Sequence, residues 1–411
     1  MNILFLAHRL PYLPDKGEKI RAFHTIRELA ARHSIYLVSF IEEVAEMSQV
    51  ASLRKNCASV EVVLRRNSAA SLLHASVGVL VRRPLSVSLF YRKAFSEKIS
   101  NTVANRKIDC IIASSGCMGQ YVARLKLAKI IDFIDVDSEK WRIYSERHGF
   151  PWSAIYRLEG RRLAKYEQEL AESFNYSIVV SREESRLLQQ RATGCPIMVI
   201  SNGVDLEYFR PPTRRGADIS SPVIIFTGAM NYFPNVDAVQ FFALDIFPLV
   251  RRVFPEAVFC IVGRSPNRHV RQLAKLPNVT VTGAVPDVRP YLGRASLAVA
   301  PFRLARGIQN KVLEAMAMSV PVVGTAETFK GIEATERDGI RIADDPETFA
   351  RHVIDLLCDA AQRCRLGREA RSYVERHHRW DEQGAKLENI LQEVVQREQI
   401  ERQMRRAGVT C

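Results

Sequence analysis

The run Ala300-Pro301-Phe302-Arg303-Leu304-Ala305-Arg306-Gly307-Ile308-Gln309-Asn310-Lys311-Val312-Leu313-Glu314-Ala315-Met316-Ala317 carries the densest set of chemically useful side chains in the chain. It reads as a strand ending near Pro301, a loop with two arginines and a glycine, and a helix opening near Asn310. A helix start offers backbone N–H groups without intrahelical partners and a partial positive charge, and it suits a diphosphate. Arg303, Arg306 and Lys311 bring full charges there, with Gly307 and Asn310 at the helix entrance. Glu314 lies one turn beyond Lys311 on the same face, where a carboxylate can accept from two ribose hydroxyls. A charged acceptor of this kind contributes on the order of 1.5–3 kcal/mol. The same two residues also have the spacing of a surface i,i+3 ion pair, worth a few tenths of a kcal/mol. The apolar Val320–Val323 stretch that follows buries the helix and favours the first reading.

A second pair of carboxylates, Asp135 and Asp137, follows the apolar run Ile130–Ile134. At a strand end they suit positioning a substrate hydroxyl or taking its proton. Asp-x-Asp also serves divalent metals, and Asp137 or Ser138 suits a helix cap before Glu139–Ser145. Between Leu72 and Lys93, apolar residues are interleaved with Arg82, Arg83, Arg92 and Lys93. That mixture suits an anionic membrane surface, and equally helices packed on a domain with their basic residues solvated.

The elements that must position these groups are short, nearly continuous apolar runs alternating with helical stretches. Asn2–His8, Ile35–Phe40, Val60–Leu64, Cys110–Ser114, Ile130–Ile134, Ser177–Val180 and Met198–Ile200 read as strands buried on both faces of a parallel sheet. After the turn-rich Pro211–Pro222 the alternation restarts with Val223–Thr227, Val258–Val262, Val279–Thr282, Leu297–Pro301, Val320–Val323 and Ile340–Ile342. Two doubly wound Rossmann-like units are expected, 1–210 and 211–379, facing a cleft lined by the strand ends where ligands bind. A charged helical tail, 380–411, carries one apolar stripe that predicts packing on a domain.

Composition bounds the partners. The 411 residues exceed one core, and a net charge of +14 favours phosphates, nucleotides or an acidic membrane face. Nucleic acid is not expected, since no recognition motif accompanies the charge. Eight scattered cysteines show no metal-ligand spacing, and the N-terminus lacks a basic region before its apolar run. A cytoplasmic protein follows, with the inner membrane as a surface to which it can attach peripherally.

Glu314-Ala315-Met316-Ala317 with Pro321-Val322-Val323 resembles the nucleotide-sugar signature of family-four retaining glycosyltransferases of the GT-B fold. In that Glu-x7-Glu pattern Glu314 stands at the second, ribose-binding position, while Arg306 occupies the first. Asn202-Gly203-Val204-Asp205 resembles the segment closing the acceptor domain. Gly263-Arg264 and the loop around Val285 resemble the turns beside the nucleobase. The loop Leu10–Arg21 resembles the one whose glycine, here Gly17, approaches the donor phosphate, with Lys19 and Arg21 on the acceptor side. The family's basic phosphate loop is replaced by Gly228-Ala229-Met230-Asn231-Tyr232-Phe233-Pro234-Asn235, which keeps Gly228 and has no cation. Arg303, Arg306 and Lys311 are then the candidates to meet the phosphates, or, for Arg306, an acidic sugar.

Asp15–Arg21 and Asp135–Trp141 further resemble the sugar transferases of PEP-CTERM/exosortase exopolysaccharide clusters. The resemblance implies transfer of a hexosyl group with retention, no metal and no cofactor beyond the nucleotide-diphosphate sugar as co-substrate. Its implied acceptor is a glycan or a polyprenol-linked glycan. Two other readings remain: a non-catalytic GT-B nucleotide- or glycan-binding partner, and a nucleotide-sugar epimerase.

Overall fold

The computed structural model describes residues 1–65, 83–212 and 221–406. The expected basic-apolar stretch from Leu72 to Arg82 and most of the turn-rich linker, 213–220, lie outside them. All thirteen predicted strands form: β1 (Asn2–Ala7), β2 (Ser34–Ile41), β3 (Ser59–Leu64), β4 (Cys110–Ser114), β5 (Ala128–Ile134), β6 (Tyr176–Val179), β7 (Ile197–Val199), β8 (Val223–Thr227), β9 (Val258–Val262), β10 (Val279–Gly283), β11 (Leu297–Ala300), β12 (Val322–Gly324) and β13 (Ile340–Ile342).

The first sheet has the order β3-β2-β1-β4-β5-β6-β7 and the second β10-β9-β8-β11-β12-β13. Among the described residues every pairing of neighbouring strands in the two sheets is parallel. In both units the chain winds outward one way and then returns to add strands on the other side. The switch points fall between β1 and β4 and between β8 and β11, and crevices at such points hold ligands.

Alternation within β1 shows why both faces must be covered. Ile3, Phe5 and Ala7 enter one core while Leu4 and Leu6 enter another on the opposite face. The helix Gly17–Ala30 packs on the first face with the terminal helix Trp380–Arg406, whose Leu387, Ile390, Leu391, Val394 and Val395 complete that core. The tail's apolar stripe thus lies on the first unit.

The compact units are Met1–Ser201 with Trp380–Cys411, and Asn202–Arg379. The sequence reading set the break at 210/211 and kept 380–411 apart. Asn202–Phe209 instead joins the second unit because its backbone is used there: Val204 N–H donates to His378 O at 2.8 Å and Arg371 Nη1 to Phe209 O at 2.9 Å. One helical run among the described residues, Phe233–Val253, is long and apolar enough to cross a membrane; 61% of its apolar window is buried, and it forms the core of the second unit.

Tyr176, at the start of β6, donates from Oη to both carboxylate oxygens of Glu393 on the tail helix at 3.0 Å. Tyr176→Phe removes a charge-assisted bond at a partly solvated site. The expected loss is about 1 kcal/mol of stability, read as a lower urea midpoint at unchanged slope.

Candidate functional site

The second unit's switch point is built by two glycines that approach too closely for any other residue. A Cβ on Gly263 would lie 1.6 Å from Gly228 O. Both have positive φ, +154° at Gly228 and +156° at Gly263. Gly228 N–H donates to Val262 O at 3.0 Å and Met230 N–H to Arg264 O at 2.8 Å, locking the loops after β8 and β9 together. The Arg264 side chain is half-buried, as is Val285, which packs on the edge of the core.

The helix predicted near Asn310 runs Asn310–Ala317, with Val312, Leu313, Ala315, Met316 and Ala317 buried and Lys311 and Glu314 on its open side. Lys311 reaches back under the Gly228 loop. Its Nζ donates to Asn235 Oδ1 at 2.7 Å and to Gln309 Oε1 at 3.4 Å, and it sits 4.7 Å from the Phe302 ring centroid. Asn235 is fixed in turn, donating from Nδ2 to Ala229 O at 2.9 Å. A Cβ at Gly228 would meet Asn235 Nδ2 at 2.8 Å and Lys311 Cε at 3.3 Å. The cation absent from the loop's own sequence is therefore delivered to it by the helix.

Burial disfavours both charges of this pair, and each partner opposes the effect on the other. The Lys311 ammonium is pushed down to about 8 by desolvation, against the attraction of Glu314. The Glu314 carboxyl is pushed up to about 7 by desolvation, against Lys311. No described residue hydrogen-bonds the Glu314 carboxylate; its acceptor capacity is open to a ligand. Asn310, at the first helical position, accepts on Oδ1 from the buried Asn202 at 2.9 Å, which anchors the Asn202-Gly203-Val204-Asp205 segment to the helix start.

Arg303 departs from its expected place. Its guanidinium is held by Asp237, Nε to Oδ2 at 3.0 Å and Nη2 to Oδ1 at 2.5 Å, and lies 4.7 Å from the Phe241 ring. The fork geometry favours this bidentate carboxylate pair, so the charge is already matched within the unit. Arg306 is half-buried, and its carbonyl accepts from Gln309 Nε2 at 3.0 Å. Gly307 has φ +58° and packs its carbonyl against Gly331, where a Cβ would come within 2.1 Å.

In the first unit, Asp135 is half-buried just beyond β5, and Asp137 is the exposed first residue of the helix Asp137–Arg147. Neither caps that helix, whose N-cap is Val136. Its first N–H groups are met by inward carboxylates: Glu184 accepts from Val136 N at 2.7 Å and Glu167 from Ser138 N at 3.0 Å. Burial pushes the Glu167 carboxyl up to about 8 despite its bonds from Ser138.

Gly17 opens its helix and is exposed. The two expected acceptor-side cations are used internally instead. Lys19 is buried with Nζ on Glu46 Oε1 at 3.1 Å. Arg21 is buried and bidentate to Asp132, Nε–Oδ2 2.7 Å and Nη2–Oδ1 3.0 Å. Each faces its own unit's core because a helix residue close to a sheet loses water and needs a carboxylate.

Three residues went unread in the sequence. Asn235 and Gln309 are uncharged and distant from or beside Lys311 in sequence; Pro234 at a helix start was the one cue to Asn235. His8 directly follows β1 at the first unit's switch point, beside Ser114 of β4, and burial lowers it to about 4 against the pull of Glu18. Among the described residues no group of three His, Cys, Asp or Glu gathers as a metal site. The seven described cysteines are free thiols.

Residues 221–359 match the family model for glycosyl transferases group 1. A GDP-mannose-dependent monoacylated alpha-(1-6)-phosphatidylinositol monomannoside mannosyltransferase of Corynebacterium glutamicum is 26% identical over 216 residues, 47% of this chain and 55% of that protein. The chain thus spans little more than half the length of the curated relatives it matches.

Two solved structures are similar over almost the whole chain. Sucrose-phosphate synthase of Thermosynechococcus elongatus has a TM-score of 0.71 at 15% identity, covering 96% of this chain and 99% of that one. Anabaena HepE in complex with UDP and glucose has a TM-score of 0.69 at 14% identity, covering 96% and 100%. The chain has the GT-B glycosyltransferase fold, and its residues 221–359 match glycosyl transferases group 1.

Proposed function

We propose that this chain is a retaining glycosyltransferase that takes a hexosyl group from a nucleotide diphosphate. The observation that carries the reading is the Lys311–Glu314 pair: a cation held under the loop that opens at Gly228 and, one turn away, a carboxylate with no hydrogen-bond donor among the described residues. The diphosphate lies against the start of the helix Asn310–Ala317, with Gly307, Asn310 and Gly228 allowing close approach. Lys311 meets its charge and Glu314 accepts from the ribose. Arg264 and Val285 border the base. As the sugar–phosphate bond breaks, negative charge grows on the leaving diphosphate, where fixed N–H groups and Lys311 are already aimed; preorganisation of this kind needs no metal. Arg306, standing where relatives of the pattern have a carboxylate, contributes positive charge to phosphate or to an acidic sugar. Asp135 and Asp137 are the acceptor-side groups, ordering the attacking hydroxyl.

The relatives indicate which nucleotides to test first: the mannosyltransferase is GDP-mannose-dependent, and HepE was solved in complex with UDP and glucose. The mannosyltransferase acts on a lipid-anchored glycan, which supports a polyprenol- or lipid-linked acceptor in exopolysaccharide assembly at the inner membrane's cytoplasmic face. A thermal-shift series with UDP, GDP and their sugar conjugates tests the reading. One nucleotide raises the melting temperature; at a hundredfold excess over Kd the stabilisation is about 2.7 kcal/mol. The labelled sugar then appears in a lipid-extractable product. Retention of nucleotide with no transfer indicates a binding partner, a changed nucleotide sugar indicates an epimerase, and no shift with any nucleotide removes the proposal.

A further inference from the structure

The first unit carries a surface that neither the donor site nor the sheet explains. It lies at the turn between the helices Asp137–Arg147 and Trp152–Ser173. Phe150 is 87% exposed, Trp152 56%, Leu158 48% and Ile155 47%. Trp152, Ile155 and Leu158 recur at helical spacing on the outer face, and Arg161, Arg162 and Lys165 continue the same face one to two turns on. Behind it stands an aromatic cluster: Tyr156 lies 5.4 Å from Trp141, 5.2 Å from His148 and 6.2 Å from Trp152 by ring centroids. The apolar tip is therefore mounted on a stiff base.

Positive charge dominates this surface. From Arg147 to Arg162 the cations are Arg147, Arg157, Arg161 and Arg162, and the single carboxylate, Glu159, is turned inward; Lys165, one turn on, is paired with Glu169. Glu159 is buried and accepts from Leu85 N and Ser86 N at 2.8 Å. On the preceding helix Glu146 is matched by Arg142. Exposed tryptophan and phenylalanine beside unpaired arginines fit the boundary between lipid headgroups and acyl chains, where rings sit at headgroup depth and cations meet anionic lipid. A two-fold contact between copies would set these arginines against each other, which is unfavourable.

We propose that the tip Phe150–Leu158, with Arg157, Arg161 and Arg162, docks this protein on an anionic lipid bilayer. The residues of this tip lie outside the stretch Leu72–Lys93 in the sequence, and the proposal depends on no step of sugar transfer.

The test is flotation of the full chain with vesicles of phosphatidylcholine alone and with about 30% phosphatidylglycerol. Recovery should require the anionic lipid and fall with salt. The triple variant F150S/W152S/L158S should lower partitioning at least about tenfold, since it removes the apolar contribution. These side chains are exposed, so its melting temperature should match the parent. R161E/R162E should abolish the preference for anionic over neutral vesicles. Brominated acyl chains should quench parent fluorescence, and W152F should remove most of that quenching. Equal recovery on both vesicle types, parental partitioning of the triple variant, or a triple variant that changes only self-association or RNA binding each overturns the proposal. Nucleotide-induced stabilisation should be the same in parent and triple variant, so failure here is distinguishable from failure of the donor reading.

Discussion

Lys311→Ala is expected to lower kcat by about 10²–10³-fold, the loss seen when one preorganised group facing developing charge is removed. Its ammonium is the cation that the structure delivers to the Gly228 loop, and it is held there by Asn235 and Gln309. Glu314→Ala should act mainly on donor affinity, raising KM by about tenfold or more through loss of a charged acceptor for the ribose.

The pH profile separates these roles. With Glu314 at about 7 and Lys311 at about 8, kcat/KM should fall on the acid side as the carboxylate gains a proton and on the alkaline side as the ammonium loses one. Bound diphosphate favours the ammonium, so the alkaline limb of kcat should lie at higher pH than that of kcat/KM. Initial rates of labelled-sugar transfer from pH 5.5 to 9.5, roughly the span that brackets both groups, are the measurement. A Lys311→Ala enzyme with parental kcat, or one retaining the alkaline limb, contradicts the assignment.

Asp132→Ala should cost about 3–5 kcal/mol, the largest stability effect expected in the first unit. Arg21 would keep its charge at 2% exposure while losing both bonds to the Asp132 carboxylate, leaving neutral acceptors such as Ile200 O at 2.9 Å in place of a matching charge. Arg21→Met combined with Asp132→Leu removes both charges and should recover most of the loss, because the desolvation penalty goes with them. Urea unfolding followed by circular dichroism checks both variants. If the single and double substitutions were equally destabilising, the ion pair would not be the cause.

The same pair shows where reading the sequence stopped. Arg21 and Lys19 sit among candidate site residues in a loop-to-helix segment, and nothing local distinguishes a cation aimed at solvent from one aimed at a strand. Their partners, Asp132 and Glu46, are supplied by the packing of the sheet and by a short 3-10 helix, Val44–Glu46. Arg303 repeats the case: read as a phosphate ligand, it is claimed by Asp237, 66 positions away in the chain. By contrast, Lys311 and Glu314 were legible because their geometry is local, set by one helix and its apolar underside.

Continuous apolar runs determined the thirteen strands and the doubly wound class by themselves, since strands buried on both faces admit no polar alternation. The helix start at Asn310 and the carboxylate one turn on were likewise written in the residue types. What only the tertiary structure decided is which charges remain for chemistry. Burial and a long-range partner decide whether a cation is spent inside a unit or kept for a ligand. Those contacts exist only once the sheets have brought distant residues together.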